Sequence, residues 1–256
     1  MTTKAAIRHK VWSYLEDNDL ALPPRPVFDR IPNFKNSDIA CDRVVKQKEF
    51  INARVVKINP DRPQLKARYR TLESRKTLLV PTPRLTSGLF NEIIVSDYSK
   101  EALRTCASSE GVRNFSKPID LQSKITIDVI IVGSVAVSMQ GHRIGKGEGF
   151  ADLEYAMMVS LGVIDPLNTP VITTVDDSQV FDSLPENLFG EHDLTVDIIA
   201  TPTRLIRCEP RLSKPKGIIW SLLTPQRLDE MPILKTFKDW EKDNKKTGKN
   251  VHLVSN

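Results

Sequence analysis

Cysteine, aromatic residues and long apolar runs are all scarce in this 256-residue sequence. Its three cysteines, Cys41, Cys106 and Cys208, are odd in number and far apart. This spacing excludes a disulfide framework and a clustered zinc site, and it favours reduced thiols in an intracellular protein. No apolar run approaches the roughly 18 residues of a membrane-spanning helix, and the charged N-terminus lacks the apolar core of a signal peptide. We therefore expect a cytoplasmic protein with no membrane partner, with the nucleus as an alternative.

Strong charge of one sign is also missing. The chain carries 37 Lys and Arg residues against 32 Asp and Glu residues, which leaves a formal net charge of +5. Such a modest excess permits an anionic partner without naming one. With 40% hydrophobic residues, the chain can bury a full core, and its length fits one large domain or one domain with an appendage.

Short apolar segments alternate with helical patterns along most of the chain. The predicted strands are 53–60, 77–83, 128–137, 169–175 and 193–202, with a last one at 217–220. The predicted helices are 3–18, 38–50, 64–75 and 153–161. Such alternation is typical of βαβ units on a mainly parallel sheet, so we expect an α/β fold with three α/β/α layers. This domain should span residues 1–223, and the Lys-rich segment 224–256 is predicted to be a solvated helix followed by disorder.

Glycine is infrequent, yet four of the 11 glycines lie at positions 141–149, inside the stretch "GHRIGKGEGFAD", Gly141 to Asp152. A glycine-rich turn before a helix lets backbone amides converge on an anion, and the helix N-terminus adds partial positive charge. Arg143 and Lys146 would neutralise phosphate oxygens, and Asp152 is placed to hold Mg²⁺ against them.

The loop matches neither of the two common phosphate fingerprints, since it lacks a Gly-Lys-Ser/Thr ending and a Gly-x-Gly-x-x-Gly spacing. A connecting loop without a ligand is therefore an alternative. Glu148 and Glu154 are interpreted as ordinary acids at a helix start.

Several motifs together resemble a known family. "RIGKGEGFAD", Arg143 to Asp152, resembles the R-x-G-x-G-x-G-Y/F-Y-D signature of 5-formyltetrahydrofolate cyclo-ligase, also called methenyltetrahydrofolate synthetase. Three further motifs of that family occur in its order: "KAAIR" at residues 4–8, "EGVRNFSKP" at 110–118 and "EHDLTVDIIATP" at 191–202. The resemblance covers Lys4 to about Thr203.

A divergent branch of the family is closer still. The stretches "RPVFDRIPNFK", "KTLLVPTPRLTSGLF" and "VIIVGSVAVSMQGHRIGKGEGFADLEYAMMVSLG" are similar to the methenyltetrahydrofolate synthase domain-containing proteins. Vertebrate members of that branch usually carry an RNA-recognition motif after this domain. The printed sequence has no RNP-like aromatic segment, so we expect a form without that module.

The resemblance implies a reaction and a set of site residues. In the enzyme, ATP phosphorylates the formyl oxygen of 5-formyltetrahydrofolate, a folate nitrogen closes the ring and phosphate leaves. The implied residues are Lys4, Arg8, Arg143, Gly145, Lys146, Gly147, Glu148 and Gly149 for the nucleotide, Asp152 and Asp193 for Mg²⁺, and Phe150 and Asp61 for the folate substrate.

Each implied residue also has a purely structural interpretation. Lys4 and Arg8 fit a solvated helix face, Asp152 fits a helix cap, Asp193 could simply begin its strand, and Phe150 could be a core residue. Only their joint order favours the functional interpretation.

Departures from the family pattern fall on the folate half. Ala151 stands where a tyrosine is expected, Ser138 replaces an acid, and Asp61 is shorter than the usual glutamate. Three hypotheses follow. The first is an active ATP-dependent ligase. The second is a weakened or silent nucleotide-binding domain that serves as an interaction module in an RNA-associated context. The third is direct RNA binding through the basic face and tail.

Overall fold

The computed structural model of the protein describes residues 2–82, 88–119, 123 and 125–246. The helices are α1 (Lys4–Asp17), α2 (Ser37–Val45), α3 (Lys48–Asn52), α4 (Leu65–Glu73), α5 (Lys100–Ala107), α6 (Ser109–Asn114), α7 (Phe150–Leu161), α8 (Pro225–Glu230) and α9 (Pro232–Lys246). The strands are β1 (Val55–Ile58), β2 (Thr77–Pro81), β3 (Phe90–Ile93), β4 (Ser116–Ile119), β5 (Val129–Val132), β6 (Ala136–Ser138), β7 (Arg143–Ile144), β8 (Val171–Thr174), β9 (Val180–Phe181), β10 (Ile198–Ala200) and β11 (Leu205–Arg207).

The larger sheet of the described chain has the strand order β11-β10-β8-β5-β1-β2-β3-β4. Its five central strands, from β10 to β2, pair in parallel, whereas β11, β3 and β4 add antiparallel edges. Every residue of β5 and β8 is buried, as expected for parallel strands with helices on both faces. The predicted mainly parallel sheet is confirmed.

Alternate residues of the strands enter two separate cores. Ile130 and Val132 of β5 pack with Tyr155 and Met158 of α7 on one face. On the opposite face, Val129 and Ile131 pack with residues of α2, α4 and α5. This alternation is the period-two geometry of a strand, and it makes the domain a three-layer α/β/α sandwich, as predicted.

The predicted strand 128–137 is wrong in its second half. β5 ends at Val132, and after residues 133–135 the chain enters β6, which belongs to a second sheet with the order β7-β6-β9. Helix α1 covers this small sheet through Ile7, Val11 and Leu15, which share a third core with Ala136 and Ile144. The side chain of Thr3 accepts a hydrogen bond from the amide of Ala6 and caps α1.

Three other predicted elements need correction. The predicted strand 217–220 is irregular, and a 3-10 turn begins at Trp220. The predicted strand 193–202 is confined to Ile198–Ala200, so Asp193 lies in the preceding turn and does not begin a strand. The predicted helix 38–50 is two helices, α2 and α3, separated near Lys46. Pro83 and residues 247–256 lie outside the described residues.

The C-terminal segment is helical, but it is not solvated as predicted. Met231, Leu234 and Phe237 are fully buried and belong to the same core as α7. Their spacing of three residues gives α9 one apolar face despite its many lysines. The segment therefore packs on the domain, and the packing extends to Trp240, which lies against the same core.

The cysteines are free and buried. Of the helices within the described part of the chain, none combines the length and apolar character that crossing a bilayer requires.

Candidate functional site

A cavity of about 400 Å³ opens where three neighbouring strands of the large sheet end. Asn59, Pro60 and Asp61 follow β1, Thr82 follows β2, and Gly133 follows β5, and all of them line this cavity. The carboxyl ends of parallel strands are the usual place for ligands in open α/β sheets. The volume lies within the range of about 300 to 1,000 Å³ that is typical of small-molecule sites.

Helix α1 places two cations on the cavity wall one helical turn apart. Lys4 Nζ lies 2.5 Å from Asp193 Oδ1, and Arg8 Nε donates to the carbonyl oxygen of Gly145 at 2.7 Å. Partial burial lowers the pKa of Arg8, while Asp152 and Asp193 oppose that shift. These two residues are therefore not a solvated helix face, because each is bound to the loop or turn opposite.

The glycine loop is tied to the large sheet by Arg143. This side chain is 5% exposed, and its Nη2 and Nε donate to the carbonyl oxygen of Gly133 at 2.8 and 3.0 Å. Two positions around the loop have no room for a larger residue. A Cβ on Gly133 would lie 2.7 Å from Asp61 Oδ2, and Gly147 has φ of +105° with the Arg8 guanidinium 3.1 Å from the Cβ position.

The two acids that were predicted to hold a metal ion are both engaged in hydrogen bonds. Asp152 Oδ1 accepts from the amide of Leu194 at 2.9 Å and lies 3.4 Å from Arg143 Nη1. Asp193 Oδ2 accepts from the amide of Gly190 at 2.8 Å, in addition to its contact with Lys4. Helix α7 begins after Gly149 with no side-chain cap, so the interpretation of Asp152 as its cap is wrong.

The remaining loop residues form the rim. Lys146 Nζ pairs with Glu148 Oε2 at 2.6 Å, with both side chains partly exposed. Phe150 is half-buried at the start of α7 and packs against the core. Its ring lines the cavity and therefore serves both as a core residue and as part of the wall.

The structure brings every predicted site residue to this one cavity. The twelve residues, which come from four separate parts of the chain, are Lys4, Arg8, Asp61, Arg143, Gly145, Lys146, Gly147, Glu148, Gly149, Phe150, Asp152 and Asp193.

Sequence reasoning missed an ion pair beneath the cavity. Lys57 on β1 and Glu154 on α7 are almost fully buried and contact each other directly, and Lys57 Nζ also donates to Asn59 Oδ1 at 2.5 Å. Glu154 lines the cavity, so its interpretation as an ordinary helix-start acid is wrong. The available signal was a lysine inside the otherwise apolar strand "VVKI", because charged residues are seldom buried without a partner.

Asp61 lies on the same side of the cavity as this pair. Burial raises the pKa of its carboxyl group, and the nearby cations Lys146, Arg68 and Arg143 oppose the shift. The buried guanidinium of Arg68 fixes the backbone here, since its Nη1 donates to the carbonyl oxygens of Asn59 and Asp61 at 2.6 and 3.0 Å. Burial lowers the pKa of Arg68 to about 10.

Comparison with known proteins identifies the family. The sequence model of the 5-formyltetrahydrofolate cyclo-ligase family matches residues 1–202. The chain belongs to the 5-formyltetrahydrofolate cyclo-ligase family. The match includes both the glycine loop and the α1 cations, and it ends before the C-terminal helices.

Relatives within this family are similar over almost the whole chain. Proteins named methenyltetrahydrofolate synthase domain-containing protein from Bos taurus and Homo sapiens are 52% and 49% identical to it over 252 residues, or 98% of the chain. The chain spans 65% and 64% of the length of these two relatives. A solved structure of Aquifex aeolicus 5,10-methenyltetrahydrofolate synthetase shares the cyclo-ligase fold with a TM-score of 0.50 and 17% identity, covering 82% of this chain and 95% of that one.

One predicted departure from the cyclo-ligase pattern is not at the cavity. Ser138 is fully buried in β6, where its hydroxyl accepts from the amide of His142 at 3.2 Å, and it is absent from the described cavity wall. Ala151 and Asp61 do line the cavity. Only two of the three predicted departures from the family pattern therefore lie in the cavity.

Proposed function

We propose that this cyclo-ligase family domain binds Mg²⁺-ATP in the cavity and that its cyclo-ligase catalysis is weak or absent. The observation that carries the proposal is the meeting of all twelve predicted residues in one cavity, where the cations Lys4, Arg8 and Lys146 surround the glycine loop. The domain would then serve as a ligand-binding interaction module.

The phosphate half of the cavity has the groups that a triphosphate requires. Lys4, Arg8 and Lys146 present cations around the loop, and backbone amides at the start of α7 carry the partial positive charge of a helix N-terminus. Glycines keep side chains out of the way of the approaching oxygens. In this assignment, Arg143 supports the loop from beneath, because its guanidinium is already committed to Gly133.

Asp152 and Asp193 are the residues that would hold Mg²⁺. No cluster of three His, Cys, Asp or Glu side chains suited to a metal occurs in the described chain. Two carboxylates suffice for Mg²⁺, which is usually bound by one or two carboxylates, by waters and by the phosphates themselves. When bound, the ion would neutralise charge on the nucleotide phosphates. Lys4 is partly exposed and can release Asp193 to pair with a phosphate.

The folate half is where catalysis would be lost. A reaction of this kind relies on positioning and charge neutralisation more than on a protein nucleophile. Both positions line the cavity, but Ala151 cannot supply an aromatic contact, and Asp61 has a shorter side chain than the usual glutamate. Each lost contact costs about 1 to 3 kcal/mol, so two of them predict a fall in rate of roughly thirtyfold to twenty-thousandfold.

Two measurements test the proposal. Calorimetry with Mg²⁺-ATP should show binding to the wild type and much weaker binding to Arg8→Gln. Arg207→Gln is the matched control, because Arg207 pairs with Glu49 and does not line the cavity. Absence of heat and of a thermal shift at millimolar nucleotide would reject the nucleotide site.

Incubation with 5-formyltetrahydrofolate, ATP and Mg²⁺, followed by absorbance of the methenyl product, tests the catalytic half. Turnover near the roughly 10 per second that is typical of enzymes would establish the alternative, an active ATP-dependent 5-formyltetrahydrofolate cyclo-ligase. An RNA-associated role stays a prediction of the sequence.

A further inference from the structure

The C-terminal helices lie next to the candidate site although they are outside the part of the chain that the family model matches. That match ends at residue 202, whereas similarity to the methenyltetrahydrofolate synthase domain-containing proteins extends over 252 residues. Helices α8 and α9 therefore belong to the region shared with those relatives, and they are not explained by the cyclo-ligase family itself.

Helix α9 anchors this segment firmly. Leu234 and Phe237 are fully buried in the core that contains α7. Removing these apolar side chains from water stabilises the packing of α9 against the domain. Trp220 adds a hydrogen bond from its indole nitrogen to Glu241 Oε2 at 3.0 Å. The preceding helix α8 is therefore held in a fixed position beside α7.

From this position α8 directs one arginine at the glycine loop. The Arg227 guanidinium lies over the ring of Phe150, 4.8 Å from its centroid. Its Nη2 is 3.7 Å from the Cβ position of Gly149, the residue that precedes α7. Glu230 fixes the other side of the guanidinium, with Oε2 3.2 Å from Arg227 Nη1. Arg227 thus contacts Phe150, the first residue of α7, and lies beside the glycine that precedes it.

We propose that Arg227 is a positioning residue of the ligand site, and that it acts by holding Phe150 and Gly149 where the glycine loop joins α7. A loop with this many glycines loses much conformational entropy when it is ordered around a ligand. An arginine that orders its end beforehand reduces that cost, which is the general effect of preorganisation. Arg227 also adds a positive charge near the place where an anion would bind.

Hydrogen exchange tests this inference without any ligand. Amides of residues 145–152 should exchange faster in Arg227→Gln than in the wild type, and Arg227→Lys should restore most of the protection because it keeps the cation over the ring. Lys238→Gln is the matched control. Lys238 lies over the Trp220 ring, 5.3 Å from its centroid, in the same C-terminal segment, but it is not part of the described cavity wall.

Affinity for Mg²⁺-ATP is the second readout, and this part rests on the proposed function. Loss of one cation–π contact predicts a roughly threefold to tenfold weaker affinity in Arg227→Gln. In a double-mutant cycle with Phe150→Leu, the two losses should not add, because both remove the same contact.

The outcomes separate this inference from the proposed function. If the wild type binds no nucleotide, the proposed function fails and the exchange comparison alone decides the role of Arg227. Unchanged loop exchange in Arg227→Gln overturns the inference, as does an equal increase in Lys238→Gln, which would indicate general loosening of the segment. If the wild type binds nucleotide, an affinity of Arg227→Gln equal to that of the wild type overturns the inference as well.

Discussion

The charged residues at the rim of the cavity and those at its floor differ in their exposure to water. At the rim, Lys4 and Lys146 are partly exposed and each faces one acid. At the floor, Lys57 and Glu154 have side chains only 2% and 3% exposed and contact each other across β1 and α7. The same kinds of residue thus occur in two different dielectric environments within one cavity.

This difference determines what each group can do. An exposed ion pair is worth little and exchanges partners easily, so the rim cations are free to accept a phosphate in place of an acid. A buried pair is expensive to separate, because each charge would be left without water or a partner. The floor is therefore a fixed part of the fold, and the rim is the part available for binding.

The largest expected effect is on stability and comes from breaking the floor pair. Lys57→Met should lower the free energy of unfolding by about 3 to 5 kcal/mol, because Glu154 is left buried and unpaired. Burial already raises the pKa of Glu154 and lowers that of Lys57, and each partner opposes the shift of the other. The measurement is urea denaturation.

The double variant Lys57→Met/Glu154→Leu is its control, since it removes both charges and should regain most of the loss. A single variant as stable as the wild type would show that the pair is not buried in solution.

A smaller effect is expected at the rim, and on binding. Arg8→Gln should weaken Mg²⁺-ATP binding by about 1.5 to 3 kcal/mol, the contribution of a hydrogen bond to a charged group, with little change in unfolding free energy. Calorimetry and denaturation of the same preparation give both numbers. If Arg8→Gln instead lost stability and kept its affinity, the distinction between rim and floor would be wrong.

The effect of pH on Asp61 is smaller still. Burial raises its pKa from the usual 3.8, so the folded state favours the protonated acid. This contribution to stability is present below the usual pKa and is lost as pH rises through the folded-state pKa. Asp61→Asn avoids the loss and should be the more stable protein at pH 7, with the difference shrinking as pH falls toward 4. Unfolding free energies of both proteins across that pH range test this prediction. An Asp61→Asn variant that is less stable than the wild type at pH 7 would contradict it.

The smallest expected effect concerns RNA. The net charge of +5 is modest, so we expect the chain to bind RNA weakly, without sequence preference and with affinity that falls steeply as salt rises. Fluorescence anisotropy with two unrelated RNAs at two salt concentrations measures this. Tight, selective binding at physiological salt would mean that a surface other than this cavity recognises RNA.

Much of the site could be predicted before the fold was known. The glycine loop could be recognised from the sequence, because glycines at alternate positions are typical of a backbone that lies close to a ligand. The motifs at Lys4, Arg143 and Asp193 occur in the family's order. That order predicted that the three residues belong to one site. Alternation of strands with helices was enough to predict the three layers, because a strand that is apolar on both faces has to be covered twice.

Periodicity could not show where one sheet ends and another begins. The run from Asp128 to Val137 is strongly apolar, yet only Val129–Val132 belongs to the large sheet. Every residue of β5 and of β6 is buried, so hydrophobicity is the same on either side of Gly133. The helical tail was misjudged for a related reason: its average composition is polar, whereas the apolar residues Met231, Leu234 and Phe237 share one face.

The sequence by itself determined the family, the layers and the rim of the site, since these depend on local patterns and on motif order. Tertiary structure alone decided that Lys57 meets Glu154, that Ser138 lies away from the cavity, and that Arg227 reaches Phe150. The two contacts join residues from distant parts of the chain, and the place of Ser138 depends on the second sheet to which β6 belongs. A local pattern carries no record of such a partner, because the contact exists only after the strands and helices have packed.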